Sequence, residues 1–172
     1  DGVLIGKTNT LQFVDHYSIG THKYEVRGVV GDNYDMSNVA EITLECEKAM
    51  IADVETCAWH VLRHKRGAEP VVSVSPTHDV AYQHYAGRRL PVAEITEYED
   101  ESYSFEYAFL DRAEAIALRN ALLGRVVILK TPHKECYIGV LESMSHSTDS
   151  IATDAAFMLR AVDWQEEIIY DV

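Results

Sequence analysis

The sequence predicts a mainly β protein with one α-helix at about residues 111–123. The first observation is that aromatic residues alternate with small or charged ones over 102–110, which is typical of a half-buried strand because successive side chains point to opposite faces. The second is that two apolar runs, 126–129 and 137–141, follow the helix and are joined by a turn at 131–134. A connection this short makes an antiparallel hairpin, so we expect strand, helix, strand and strand in this stretch.

Local signals delimit the helix at both ends. Asp111 is the predicted N-cap, and Glu114, three residues later, completes a capping box. Gly124 follows the last apolar position, where glycine readily takes the left-handed conformation that ends a helix.

The alternating strand places four rings on one face: Tyr103, Phe105, Tyr107 and Phe109. A row of aromatic side chains beside a helix predicts core packing. The alternative is a platform on which sugar rings stack.

Shorter runs predict further strands along the chain. In the first 46 residues these are 3–5, 11–14, 24–30 and 39–44, with a turn at 31–33. Beyond residue 46 they are 57–62, 71–74 (ended by the Ser75-Pro76 pair), 80–87, 156–162 and 168–170, with a polar connector at 147–154. The stretch between Met50 and Leu62 is apolar without clean periodicity.

Composition argues against several classes of function. The 172 residues include 15 Lys and Arg against 28 Asp and Glu, a formal net charge of −13. Affinity for nucleic acid comes from cations that neutralise phosphates, so we expect no direct nucleic-acid partner. No run approaches the roughly 18 apolar residues of a membrane helix, and we expect no membrane insertion and no signal peptide. The first residue is Asp1, and we expect that the chain derives from a longer polypeptide.

The three cysteines, Cys46, Cys57 and Cys136, do not form a disulfide framework. Two pairs have zinc-ligand spacing, Cys57 with His60 and His133 with Cys136. Residues three apart on a strand point to opposite faces, so these four are weak candidates and we predict no metal and no cofactor.

Other chemistry-bearing groups are also predicted to be structural. His60 and His64 lack the glutamate of a metalloprotease helix. His78, Asp79 and His84, with Ser73 or Ser75, contain the residue types of a catalytic triad, but the sequence has no nucleophile elbow. The acidic residues Glu94, Glu97, Glu99, Asp100 and Glu101 are predicted to lie in a loop, as a solvated face or a patch that meets basic residues on a partner, rather than as a glycosidase pair.

Residues 24–38 resemble the last strands of a fibronectin type III module. The resemblance lies in the sequence YEVRGV at 24–29, the Asn33-Tyr34 pair and the Ser37-Asn38 pair, whereas IGTHK at 19–23 replaces the family's usual Pro-Gly-Thr. It implies that Tyr24 is the buried tyrosine-corner residue and that residues 1–46 are the C-terminal part of such a module. It also implies a cover, from absent upstream sequence or another chain, over Leu11, Phe13, Tyr24, Val26 and Ile42.

The last 85 or so residues resemble a domain of tail proteins from bacteriophages with long, non-contractile tails. The matching features are GRRLPV at 87–92, the aromatic strand, the Asp-capped helix, GRVVIL at 124–129, CYIGVL at 136–141 and VDWQEE at 162–167. In that group a fibronectin-like module often precedes a β-barrel domain with one helix, here residues 47–172, as a barrel or a sandwich.

The resemblance implies a structural, non-enzymatic component of a phage or prophage tail or tail tip. Its partners would be other tail proteins and further copies in a ring, and it would be located in the virion after assembly in the bacterial cytoplasm. The alternative is a carbohydrate-binding or adhesion module of a cell-surface protein, which exposed Trp59, Trp164 and tyrosine rings would favour.

Overall fold

The computed structural model of the protein describes residues 4–64, 71–148 and 152–164. It is mainly β with one helix, as predicted. The strands are β1 (Gly20–Tyr24), β2 (Arg27–Val30), β3 (Asn33–Met36), β4 (Ala40–Leu44), β5 (Met50–Asp53), β6 (Trp59–Val61), β7 (Ser73–Gln83), β8 (Val92–Phe109), β9 (Val126–Lys130), β10 (Cys136–Thr148) and β11 (Thr153–Ala161), and the helix is α1 (Arg112–Leu122).

A seven-stranded antiparallel sheet forms the body of the protein, in the order β6-β5-β9-β10-β11-β8-β7. A single isolated bridge joins Arg63, just after β6, to Ala108 of β8. Its hydrogen bond runs from the Ala108 N–H to the Arg63 carbonyl, 2.9 Å away. The sheet therefore curls until the residue after β6 meets β8 at one residue pair, but no ladder closes it into a barrel in the part of the chain described.

The inner face of this sheet holds the main core, and the aromatic row belongs to it. Phe105, Tyr107 and Phe109 are buried, and Tyr103 packs against them. The Phe105 ring stacks on Phe157 of the neighbouring strand with 4.9 Å between centroids. The prediction of core packing is confirmed, and these rings form no sugar platform.

Helix α1 packs its apolar stripe, Ala115, Leu118 and Leu122, against this core. The predicted cap is confirmed, because the Asp111 carboxylate accepts the Ala113 N–H at 3.0 Å. The helix ends at a left-handed Gly124, with φ +77°, also as predicted.

Two predictions about β7 and β8 are wrong. The chain does not end a strand at Pro76 but runs through it, since β7 is a terminal strand and an outward-facing position needs no N–H. The acidic residues 94–101 lie within β8 rather than in a loop.

Other boundaries also differ from prediction. The described part of 3–5, and the whole of 11–14, form no strand; the predicted strand 57–62 shortens to β6, and Cys57 adopts a left-handed φ of 52°. β5 was not predicted, and 168–170 lies outside the described residues.

Residues 20–44 form an N-terminal two-stranded ribbon, in which β1 pairs with β4 and β2 with β3. The Tyr24 hydroxyl donates to the Asp15 carboxylate, nine residues back, and shares a second hydrogen bond with the Ser18 hydroxyl, six residues back, both at 2.8 Å. In a tyrosine corner the hydroxyl bonds to the backbone, whereas both partners here are side chains. The tyrosine-corner role, the fibronectin assignment and the division at residue 46 remain predictions.

Candidate assembly surface

Two strands end the large sheet without a further strand beside them in the described ranges. These are β6 at one end and β7 at the other. A free strand edge exposes a row of backbone N–H and C=O groups that another strand can pair with.

The hairpin of β7 and β8 projects beyond the rest of the sheet, and we call its part at residues 76–101 the arm. β11 pairs with β8 only from Ser102 to Phe109, whereas β7 pairs with β8 as far as Val92. The arm is thus two-stranded and bears the exposed apolar side chains of Tyr82 and Ile95, with Tyr85 and Leu90 near its tip. An isolated two-stranded hairpin is marginal in water, so a partner on the arm would stabilise it.

Acidic side chains lie along the β8 strand of the arm. Glu94 accepts a hydrogen bond from the Gln83 amide at 2.9 Å. Asp100 forms an ion pair with Arg160 at 2.7 Å, and both side chains are half-exposed. The tyrosine hydroxyl of Tyr103 donates to Glu101 at 3.3 Å.

A groove of about 950 Å³ lies between β6 and α1, and we call it the β6–α1 groove. One wall is formed by residues 59–64 of the chain, and the other by the exposed side of α1 at Glu114, Ala117 and Ala121. Lys48, Arg63, His60 and His64 line it together with a single acid, Glu114. The groove is therefore cationic on a strongly acidic chain.

Trp59 is held at this groove by a buried lysine. The Lys130 ammonium is 5.4 Å from the centre of the indole ring and donates to the Ser18 carbonyl at 2.7 Å. Lys130 is only 4% exposed, whereas Trp59 is 39% exposed. The cation–π contact leaves part of the indole open to solvent.

Residues 15–18 link the N-terminal ribbon to the outer face of the sheet through hydrogen bonds. The Ser18 carbonyl accepts the Lys130 ammonium, as described above, and the Tyr17 hydroxyl donates to the Trp164 carbonyl at 2.9 Å. Trp164 is half-buried against the smaller outer-face cluster. Of the two tryptophans, only Trp59 is an exposed ring.

The N-terminal ribbon itself leaves many apolar side chains in solvent. Those more than half exposed are Val26, Val29, Val30, Tyr34, Val39 and Ile42, and Leu11 is fully exposed. Among the side chains predicted to need a cover, Tyr24 and Phe13 are half-buried.

The four weak metal candidates lie around two strand starts: His60 is in β6 with Cys57 before it, and His133 is in the turn before β10. Cys57 is in the turn before β6, with its thiol against the Val54 carbonyl, and Cys136 begins β10, with its thiol against the His16 carbonyl. Burial raises the pKa of the Cys136 thiol to about 11, which disfavours the thiolate that binds zinc. Within the described ranges no three His, Cys, Asp or Glu side chains form a group suited to a metal ion. The absence of a metal remains a prediction.

The serines and histidines of the triad alternative are spread along β7. Ser73 and His78 are five residues apart on one strand, about 16 Å at the usual rise. Ser75 and His78 are three apart and point to opposite faces, and His84 lies beyond the end of β7.

Sequence reasoning missed the β6–α1 groove, because its walls come from residues about 50 positions apart. The one available signal was the concentration of His60, Arg63 and His64 near Lys48 in an otherwise acidic chain. No helix in the described residues is long and apolar enough to cross a membrane.

The chain is mainly β, with a curled, open antiparallel sheet and one helix that packs against the core of this sheet. No protein-family model and no curated protein matches the chain. Among solved structures, it is similar to a chain in the virion of a native gene transfer agent particle, with a TM-score of 0.40 and 10% identity over 69% of this chain and 93% of the other. It is also similar to a chain in the tail of an empty gene transfer agent particle with C6 symmetry, with a TM-score of 0.39 and 11% identity over the same shares.

Proposed function

We propose that this chain is a structural component of the tail or tail tip of a bacteriophage or prophage. It acts through protein–protein assembly, in a ring of identical copies that also contacts other tail proteins. The proposal includes no catalysis and places the protein in the virion.

The observation that carries the proposal is the pair of strand edges, β6 and β7, that no further described strand covers at the two ends of one sheet. Different edges on one molecule favour heterologous contacts, in which the surface of one copy meets another surface of the next. Such contacts close into a ring when the rotation between copies divides a full turn.

Two further features support an assembly role. The arm projects beyond the sheet and carries exposed apolar side chains such as Tyr82 and Ile95. The N-terminal ribbon exposes another apolar set, including Val30 and Ile42. Exposed apolar area on this scale is a feature of protein interaction sites.

The test is the molar mass of the purified chain by light scattering over a concentration series, with electron microscopy of large species. We expect closed rings of several copies. A strict monomer at every concentration would contradict the ring and direct attention to the second candidate.

That second candidate is a carbohydrate-binding or adhesion module. The exposed indole of Trp59 beside the cationic side chains of the β6–α1 groove favours it. Glycan-array binding by the parent that is lost in Trp59→Ala would support this function, and the absence of binding by the parent would remove it.

A further inference from the structure

We infer that the β6–α1 groove accepts the acidic β8 edge of the arm, residues 92–101, from a second copy of the chain. This inference rests on the proposed self-assembly and names the two surfaces that meet.

The β6 wall of the groove is a strand edge with free backbone groups. The Leu62 N–H points inward to the Ala49 carbonyl, and the Arg63 carbonyl points outward to Ala108. Because backbone direction alternates along a strand, the N–H and C=O groups of Val61 and Trp59 point outward. In the described part of the chain no strand pairs with this side of β6.

The opposite wall leaves space beside that edge. Ala117 and Ala121 are one helical turn apart and exposed, and their methyl groups occupy little of the gap between helix and strand. The volume of about 950 Å³ is at the upper end of the roughly 300–1,000 Å³ of ligand pockets. An extended segment added to a strand edge beside a helix is a recurring mode of peptide recognition.

The occupant must be acidic, extended and partly apolar. Lys48 and Arg63 give the groove two fixed positive charges against the single carboxylate of Glu114. The β8 edge at 92–101 is already a strand, and β11 pairs with β8 only from Ser102 onward. Its exposed side chains include the carboxylate of Glu94 and the apolar Ile95, which match the cationic groove and the exposed Val61.

One molecule cannot make this contact with itself. Phe109, which lines the groove, and Glu94 both belong to β8 and are 15 residues apart. That separation is about 50 Å along an extended strand, and β7 stays paired with β8 along the arm with one irregularity, between His78 and Val80. The contact therefore joins two copies, and no described strand of either copy occupies its own groove or the β8 edge of its arm.

The experiment is a charge-reversal exchange followed by light scattering. The groove variant carries Lys48→Glu and Arg63→Glu, and the arm variant carries Glu94→Lys. Each variant alone is expected to associate about tenfold more weakly than the parent, because like charges then face each other. A 1:1 mixture of the two, and the chain that carries all three changes, should recover association.

The matched control is Lys23→Glu, at an exposed lysine of the N-terminal ribbon that pairs with Glu41 at 3.3 Å. We expect this variant to associate like the parent. Far-UV circular dichroism of every variant checks that the β fold is retained.

A second measurement does not depend on charge changes. In a background with the three native cysteines replaced by serine, Val61→Cys together with Ile95→Cys is expected to form disulfides between copies on mild oxidation. Neither single variant can form a disulfide between positions 61 and 95, so each serves as a control for disulfides between identical positions.

The outcomes separate the two proposals. Parent-like association of both reversal variants, or no cross-link, would overturn the arm-in-groove contact while self-assembly stands. A parent that never associates would overturn both.

Discussion

Removal of the buried carboxylate of Asp53 tests how the turn between β5 and β6 is held. Asp53 is 4% exposed. One carboxylate oxygen accepts the N–H groups of Glu55 at 2.8 Å and Thr56 at 3.2 Å, and the other accepts the Arg125 guanidinium at 2.8 Å. Burial by itself raises the pKa of this carboxyl, but the Thr56 N–H, the guanidinium and the Glu55 N–H together bring it below its usual 3.8.

The expected cost follows from these three bonds. Asp53→Ala removes all three bonds. Each hydrogen bond to a charged group contributes about 1.5–3 kcal/mol to the free energy of unfolding. Arg125 is half-exposed, and the freed N–H groups can reach water, so we expect a loss of about 2–3 kcal/mol in the free energy of unfolding. Asp53→Asn keeps one acceptor oxygen and should lose less.

The pH dependence has a definite sign. A carboxyl whose pKa is lower in the folded state contributes stability that is present above its unfolded pKa and is lost as the pH falls through the folded pKa. The difference between the parent and Asp53→Asn should therefore be full at pH 7 and shrink below about pH 3.8.

The assay is urea unfolding followed by tryptophan fluorescence at several pH values. The matched control is Asp100→Asn, at an ion pair whose two side chains are half-exposed, and its effect should be much smaller. A difference between parent and Asp53→Asn that stays constant from pH 7 to pH 2 would refute the assignment of a low pKa to this carboxyl.

Four further predictions concern single sites. Gly139→Ala should lower the free energy of unfolding by about 2 kcal/mol, because its Cβ would lie 2.5 Å from the Arg160 carbonyl, whereas Gly28→Ala, with no atom within 4 Å, should be nearly neutral in the same urea titration. Gly124→Ala should cost about 1–2 kcal/mol through its φ of +77°, and an unchanged unfolding midpoint would contradict this strain. Tyr107→Phe should be neutral or stabilising by up to about 1 kcal/mol, since the buried hydroxyl has no partner in the described part, and a clear loss in thermal unfolding would reveal one. Metal analysis of purified protein should find no bound zinc, and a stoichiometric ion would reinstate the cysteine–histidine site.

Features set by neighbouring residues were predictable from the sequence. The helix was predictable because the Asp111 cap and the left-handed Gly124 act within one turn of its ends. The aromatic face of β8 was predictable because a strand has a side-chain period of two and one face of this one is buried.

Features set by pairing between distant segments depended on the tertiary structure. β5 buries Ile51 in one cluster and Ala52 in the other, so it shows no alternation, and only its place between β6 and β9 makes it a strand. Pro76 is compatible with β7 only because β7 is a terminal strand.

The features of the candidate assembly surface likewise fall into those that the sequence predicts and those that depend on the tertiary structure. The sequence by itself determined that acidic residues cluster at 94–101 and that Arg63 lies close to His60 and His64, since both are properties of neighbours in the chain. Only the tertiary structure decided that the acidic stretch lies on a strand edge with no further strand among the described residues, and that residues 60–64 face a helix across a groove. The physical reason is that strand pairing and helix docking are long-range contacts, selected by the burial of the whole core rather than by any local preference.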